Sequence, residues 1–354
     1  MPESTPASLL LTAAALAVAL ALVLMPLARK LGWMDRPGSR KVHENPTPLV
    51  GGLAVFGAFA GVLAGFGLAG TGWLLAGSAI VLLSGLVDDR WPQSAARRFL
   101  AQILACGVMV LGAGVQLNDF GELLWPATLG LGIFAIPVTI FAALGVINAV
   151  NMIDGLDGQC GSVFVVACTA LAFLAARAGH MDDVAVIAAA TGAVLGFLAL
   201  NGRLPWNRRA RIFLGDSGSV LLGFLLAWFC IDLGNGADRA LAPMTAVWIL
   251  GIPLLDTTRL IRRRWREGVS AFEADQYHLH HVFLRSGFGT GQTWWAVTGL
   301  SALSASIGVA FEVSATPEYW RFYAFIAFGL VYLAVLRQAW RSGRFLGREI
   351  APAA

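Results

Sequence analysis

The chain is short of charge. Asp, Glu, Lys and Arg make up 13% of its 354 residues, where a soluble globular domain carries about 25%. That shortage excludes a water-soluble globular protein. Cysteine is also scarce: Cys106, Cys160, Cys168 and Cys230 lie in or beside apolar runs, with no close C-x-x-C pair. This argues against a disulfide frame or a cysteine zinc site and leaves helix packing as their role. Long polar stretches are missing as well, so the expectation is one integral membrane domain over residues 1–354 with no soluble domain appended. The net charge of +4 says little by itself and calls for no nucleic-acid partner.

What the chain has instead is apolar length. It is 57% hydrophobic with a mean hydropathy of +0.71, in runs of about 20 residues, the length that crosses a bilayer as a helix. The expected fold is an all-α polytopic membrane protein of about eleven transmembrane helices. They are placed near 8–28, 49–69, 71–87, 98–115, 129–147, 160–177, 184–201, 217–233, 241–260, 291–311 and 320–338. The first run, Leu9 to Leu27, is too long for a signal-peptide core and has no basic leader, so it reads as a retained span. With eleven spans, Arg177, Arg239 and Arg321 fall on one side and the other 22 of the 25 basic residues on the opposite side. The positive-inside rule then puts the N-terminus in the periplasm and the C-terminus in the cytoplasm.

The polar motifs segregate the same way. Arg40-Lys41-Val42-His43, Asp88-Asp89-Arg90, Asn148 to Gly158, Gly215-Asp216-Ser217-Gly218-Ser219 and His278-Leu279-His280-His281 all fall on the cytoplasmic side. Each has a plain structural reading: Asn, Asp and Gly make turns and caps, and arginines anchor helix ends. Paired acids at the negative end of a helix are harder to explain that way, and they gain from a divalent cation or a cluster of bases. A helix start with two glycines offers N–H groups to an anion. Three histidines invite a zinc reading, but no cysteine is near, and donors for phosphate suit them better. Asp256, near the inner end of the ninth run, is ionisable at membrane depth, although Arg259 or Arg262 at helical spacing would also satisfy it. Carboxylates, an oxygen site suited to Mg²⁺ and basic donors at a membrane boundary together suit phosphoryl transfer between a soluble donor and a lipid acceptor.

The chain resembles the polyprenyl-phosphate N-acetylhexosamine-1-phosphate transferases in order and along nearly its whole length. The matching blocks are Asp35 to His43 with Pro46-Thr-Pro48 and Gly51-Gly52, Asp88-Asp89-Arg90, Asn148 to Gly158, Phe213 to Ser219, and His278 to His281. The His-Leu-His-His form, after Gly268-Val-Ser270, is similar to the branch that transfers GlcNAc-1-phosphate to undecaprenyl phosphate. The resemblance implies a Mg²⁺-dependent enzyme, with Mn²⁺ as a substitute, of the bacterial inner membrane. A UDP-sugar would be attacked by the lipid phosphate, UMP would leave, and the product would open a cell-envelope polysaccharide pathway. It further implies that Asp216 and Asp89 hold the metal, and that Asp88, Asp89, Asp154 and Asp157 are catalytic. Substrate contacts would come from Lys41, His43, Asn148, Asn151, Arg263, Arg264, His278, His280 and His281. A homodimer is compatible with this reading. The chain departs from the pattern at Ala96, Ala271, Gln276 and Tyr277, changes that bear on sugar choice and pyrophosphate contacts, so another UDP-N-acetyl-deoxysugar stays open as donor. A transporter would instead place acids in mid-membrane and repeat its halves with inverted topology; neither is visible.

Overall fold

The computed structural model describes residues 5–35, 46–123, 127–207, 209–270 and 277–350. In chain order the helices are α1 (Pro6–Leu31), α2 (Gly51–Gly65), α3 (Gly72–Arg90), α4 (Ala95–Gly107), α5 (Ala135–Ile153), α6 (Gln159–Ala178) and α7 (Met181–Asn201). They continue with α8 (Gly215–Leu233), α9 (Pro243–Ile249), α10 (Gly251–Glu267), α11 (Leu279–Arg285), α12 (Thr290–Val313) and α13 (Glu318–Ser342). A π-helical turn, Val108–Gly112, extends α4, and a 3-10 turn, Gly132–Phe134, leads into α5. Strands β1 (Met34–Asp35) and β2 (Thr47–Pro48) pair antiparallel, as do β3 (Arg344–Phe345) and β4 (Arg348–Glu349). These two-residue ladders are too short to change the helical class.

Helix ends follow local chemistry. The Thr5 hydroxyl accepts the Ser8 N–H at 3.2 Å, Pro6 opens α1, and Gly32 closes it at φ 67°, the usual polar start and left-handed stop.

Nine of the eleven expected spans coincide with helices long and apolar enough to cross a membrane, and the described residues hold nine such helices, or ten if one bent pair counts as a span. The two exceptions are the expected spans at 49–69 and 241–260. In the first, α2 has only 15 residues, about 22 Å at 1.5 Å per residue, short of a hydrocarbon core of about 30 Å. In the second, α9 and α10 meet at 80°. Pro253 sits four residues after Ile249 and has no N–H to give its carbonyl, which breaks the helical ladder at that point.

The centre of the bundle is α6, α7 and α8, whose apolar stretches are 67%, 78% and 89% buried, against 17% for α13. Helix α8 packs on α2, α3, α5 and α6. Helix α1 lies along α7, where a Cβ at Gly192 or Gly196 would run into the Leu10 and Ala14 carbonyls. Two small residues four apart allow that approach, the usual device between membrane helices.

Polar groups collect at the two ends of the bundle. One end carries Arg239 with Asp119 and Glu318, each at 3.3 Å, Arg321 with Glu312, and His180 beside Asp183 and Asp238. The other end carries the acidic and histidine motifs.

Candidate active site

The acidic end is built on the start of α8. Gly85, one turn before the paired acids on α3, lies so close to Ser217 that a Cβ there would meet its backbone. That contact carries the end of α3 onto the first turn of α8. Asp89 then accepts the Asp216 N–H at 2.7 Å and the Ser217 N–H at 3.2 Å. The residue preceding α8, Leu214, makes no side-chain cap, so Asp89 supplies from a neighbouring helix the acceptors those N–H groups need.

Asp88 is turned elsewhere. It accepts the Gln93 N–H at 2.6 Å and faces Arg98 of α4 at 3.5 Å. Together with Gln102, Asn148, Asn151 and Asp216 it lines a small cavity of about 20 Å³. The two asparagines come from one face of α5, three residues apart. Asn148 donates to the Gln102 Oε1 at 2.8 Å. Asn151 donates to the Asp216 Oδ1 at 3.0 Å and to the Ser219 Oγ at 2.8 Å. Thus Asp88, Asn148, Asn151 and Asp216, far apart in sequence, border one space.

Helix α5 ends at Ile153, and the chain turns through Asp154 to Gly158 into α6. The Gly158 N–H donates to the Asn201 Oδ1 at 2.6 Å, which ties the turn to the end of α7. Asp157 pairs with Arg203 at 2.6 Å. Asp154 is pushed up to about 8 by desolvation and by the negative charges of Asp216, Asp157 and Asp89. Acids crowded in this way are short of positive charge. Among the described residues no three His, Cys, Asp or Glu side chains form a ready-made metal cage. Mg²⁺ does not require one, because it binds through one or two carboxylates, waters and substrate phosphates. The donor set fits such an ion.

The histidine motif closes on this turn. The His280 ring lies against Gly155, where a Cβ would meet the imidazole. His280 is buried, and burial lowers its pKa, which disfavours the charged imidazolium beside the acidic turn. His278 is oriented by Asp256, whose Oδ2 is 3.0 Å from its Nδ1. Asp256 also takes Arg259 at 2.8 Å, the Tyr332 hydroxyl at 3.0 Å and the Leu279 N–H at 3.2 Å. The His281 and His280 ring centres lie 4.2 Å apart. Of the two arginines singled out, Arg264 is buried, while Arg263 pairs with Glu267 at 2.8 Å and covers the Tyr277 ring. Lys41 and His43 lie outside the described residues. Sequence reasoning missed Gln102 and Arg203 as site residues, and it held Ser219 only as part of the Gly215–Ser219 motif. Arg98 and Gln102 share a face of α4 at i, i+4, the spacing that could have joined them.

The pattern of glycosyl transferase family 4 matches residues 72–234, from α3 through α8. That stretch takes in Asp88, Asp89, Asp154, Asp157 and Asp216 and stops short of Asp256. A Yersinia pestis protein named undecaprenyl-phosphate alpha-N-acetylglucosaminyl 1-phosphate transferase is 34% identical over 91% of this chain and 88% of its own. Its Haemophilus influenzae namesake is 35% identical over 92% and 93%. The Escherichia coli K12 namesake is 34% identical over 91% and 88%. The chain belongs to glycosyl transferase family 4. The likeness of this family 4 member to those relatives runs past α8 into the α9–α13 half, which carries Asp256 and the histidine motif.

Proposed function

We propose that the protein transfers GlcNAc-1-phosphate from UDP-GlcNAc to undecaprenyl phosphate and releases UMP, at the cytoplasmic face of a bacterial inner membrane. The observation that carries this reading is the shared space bordered by Asp88, Asn151 and Asp216, in a chain whose relatives are named for that reaction.

The lipid phosphate oxygen attacks the β-phosphorus of the donor, a new phosphoanhydride forms, and the bond to the α-phosphate breaks. Asp88, held by Arg98 and the Gln93 N–H, orients the acceptor phosphate and takes its proton. Asp216 and Asp154 are the residues that would hold Mg²⁺, which supplies charge neutralisation for the diphosphate and the leaving UMP. Asp89 keeps the backbone of Asp216 in place, and Asn151 fixes its carboxylate. Asn148 and the Asp157–Arg203 pair shape the donor side. His278, aligned by Asp256, presents its remaining ring nitrogen to the diphosphate. The basic segregation in the sequence supports the cytoplasmic side and a periplasmic N-terminus.

The test is incubation of membranes holding the protein with labelled UDP-GlcNAc, undecaprenyl phosphate and Mg²⁺. Labelled lipid with UMP is the expected pair of products. Release of UDP would mean a different bond is broken and would end the proposal.

A further inference from the structure

A second cleft, of about 930 Å³, opens between α10 and α13. Its α10 wall is Arg259, Arg262, Arg263 and Arg266, spaced i, i+3, i+4, i+7 on one helix face. Its α13 wall runs from Leu330 and Leu333 through Ala334 to Arg337 and Arg341, at matching helical spacing, apolar at one end and cationic at the other. Helix α13 packs chiefly on α9 and α10; its outer flank is bare, with Leu330 and Val331 each 62% exposed. The cleft therefore opens where the bilayer would lie.

Arginines at a cytoplasmic helix end often serve only as headgroup anchors, yet here Arg259 and Arg263 turn inward and leave Arg262, Arg266, Arg337 and Arg341 exposed along the cleft. Arg259 is 11% exposed and bonded to Asp256 and the Tyr277 carbonyl. The Arg263 guanidinium lies over the Tyr277 ring at 3.0 Å from its centre. Glu267, the cleft's acid, is paired with Arg263. Among the described residues no carboxylate pairs with Arg262, Arg266, Arg337 or Arg341. Four guanidinium groups above an apolar wall complement a phosphate carried on hydrocarbon chains. Among the residues lining the cleft there is no unpaired carboxylate to hold a cation or take an acceptor's proton, which separates it from the acidic cavity. We propose that the α10–α13 cleft binds an anionic phospholipid of the inner leaflet, its headgroup phosphate among Arg262, Arg266, Arg337 and Arg341 and its chains along Leu330 and Leu333.

The experiment is native mass spectrometry of the full-length protein in detergent, titrated with phosphatidylglycerol or phosphatidylcholine, then challenged with undecaprenyl phosphate or UDP-GlcNAc. One phosphatidylglycerol should bind saturably and phosphatidylcholine should not. Arg337→Gln with Arg341→Gln should weaken it roughly tenfold or more, while Lys at both positions keeps most of the binding. Arg262→Gln with Arg266→Gln must reproduce the loss, which guards against a folding defect in either pair. Unchanged binding in both glutamine pairs overturns the proposal. Displacement of the phospholipid by undecaprenyl phosphate or UDP-GlcNAc also overturns it, because the cleft would then be a substrate site. Neither result depends on which sugar the acidic site transfers.

Discussion

Asp88 and Asp89 are neighbours in sequence with divided tasks. Asp89 is committed to the backbone of α8, and Asp88 faces the cavity. Replacing Asp89 with Ala should cost about 1 kcal/mol or more, as for a lost helix cap, and lower the melting temperature in detergent. Asp88→Asn should leave the melting temperature near wild type and reduce turnover about 10²–10⁴-fold, the usual weight of a general base. Equal thermal shifts in the two variants would refute this division. Asp216→Asn should remove turnover while the protein stays folded, measured as product formation alongside the melt. The motif showed in the sequence that two acids stand together, but not which one is consumed by a helix end. That depends on Gly85 meeting Ser217, a contact 132 residues apart in the chain. His280 was legible as chemistry-bearing in the same limited sense: its burial against Gly155 is a tertiary fact.

Asp154 gives the acidic turn a pH signature. Its carboxyl is raised from an ordinary 3.8 to about 8, so the folded protein holds a proton that the unfolded chain has released. Stability from this group is therefore lost as pH rises from about 4 towards 8. Without divalent metal the melting temperature should fall across that window; added Mg²⁺ should offset the fall, and Asp154→Asn should flatten it. A metal-free melting curve with no slope in this range would count against the crowding of acids described here.

At the scale of elements, nine of the eleven expected spans coincide with membrane-length helices, because a lipid-crossing helix must be apolar for about 20 residues. Hydropathy could not separate a 15-residue α2 from a full span, since Leu68 and its neighbours continue the apolar run after the helix has ended. The α9–α10 bend has a local cause in Pro253, although its 80° angle depends on packing. The α1–α7 contact carries a direct test. Gly196→Leu should destabilise by about 1–3 kcal/mol through overpacking, read as a lower melting temperature or loss of folded protein, while Gly299→Leu, with open space around its Cα, should be tolerated.

At the scale of the whole molecule, the two polar ends make sidedness measurable. Asp238 is fully exposed at the end opposite the acids, and all four native cysteines are buried. In intact cells a membrane-impermeant thiol reagent should label Asp238→Cys and leave Gln93→Cys unlabelled until the membrane is opened. The reverse pattern would invert the orientation.

The contact of α1 with α7 also bears on how the chain is made. During synthesis the first helix emerges some 150 residues ahead of the partner whose glycines it fits. Until the ribosome has delivered Gly192 and Gly196, the Leu10–Ala17 surface must wait in lipid, lightly held. A nascent chain arrested after α6 should therefore keep its leading helix open to crosslinkers in the bilayer, and one arrested after α8 should shield it.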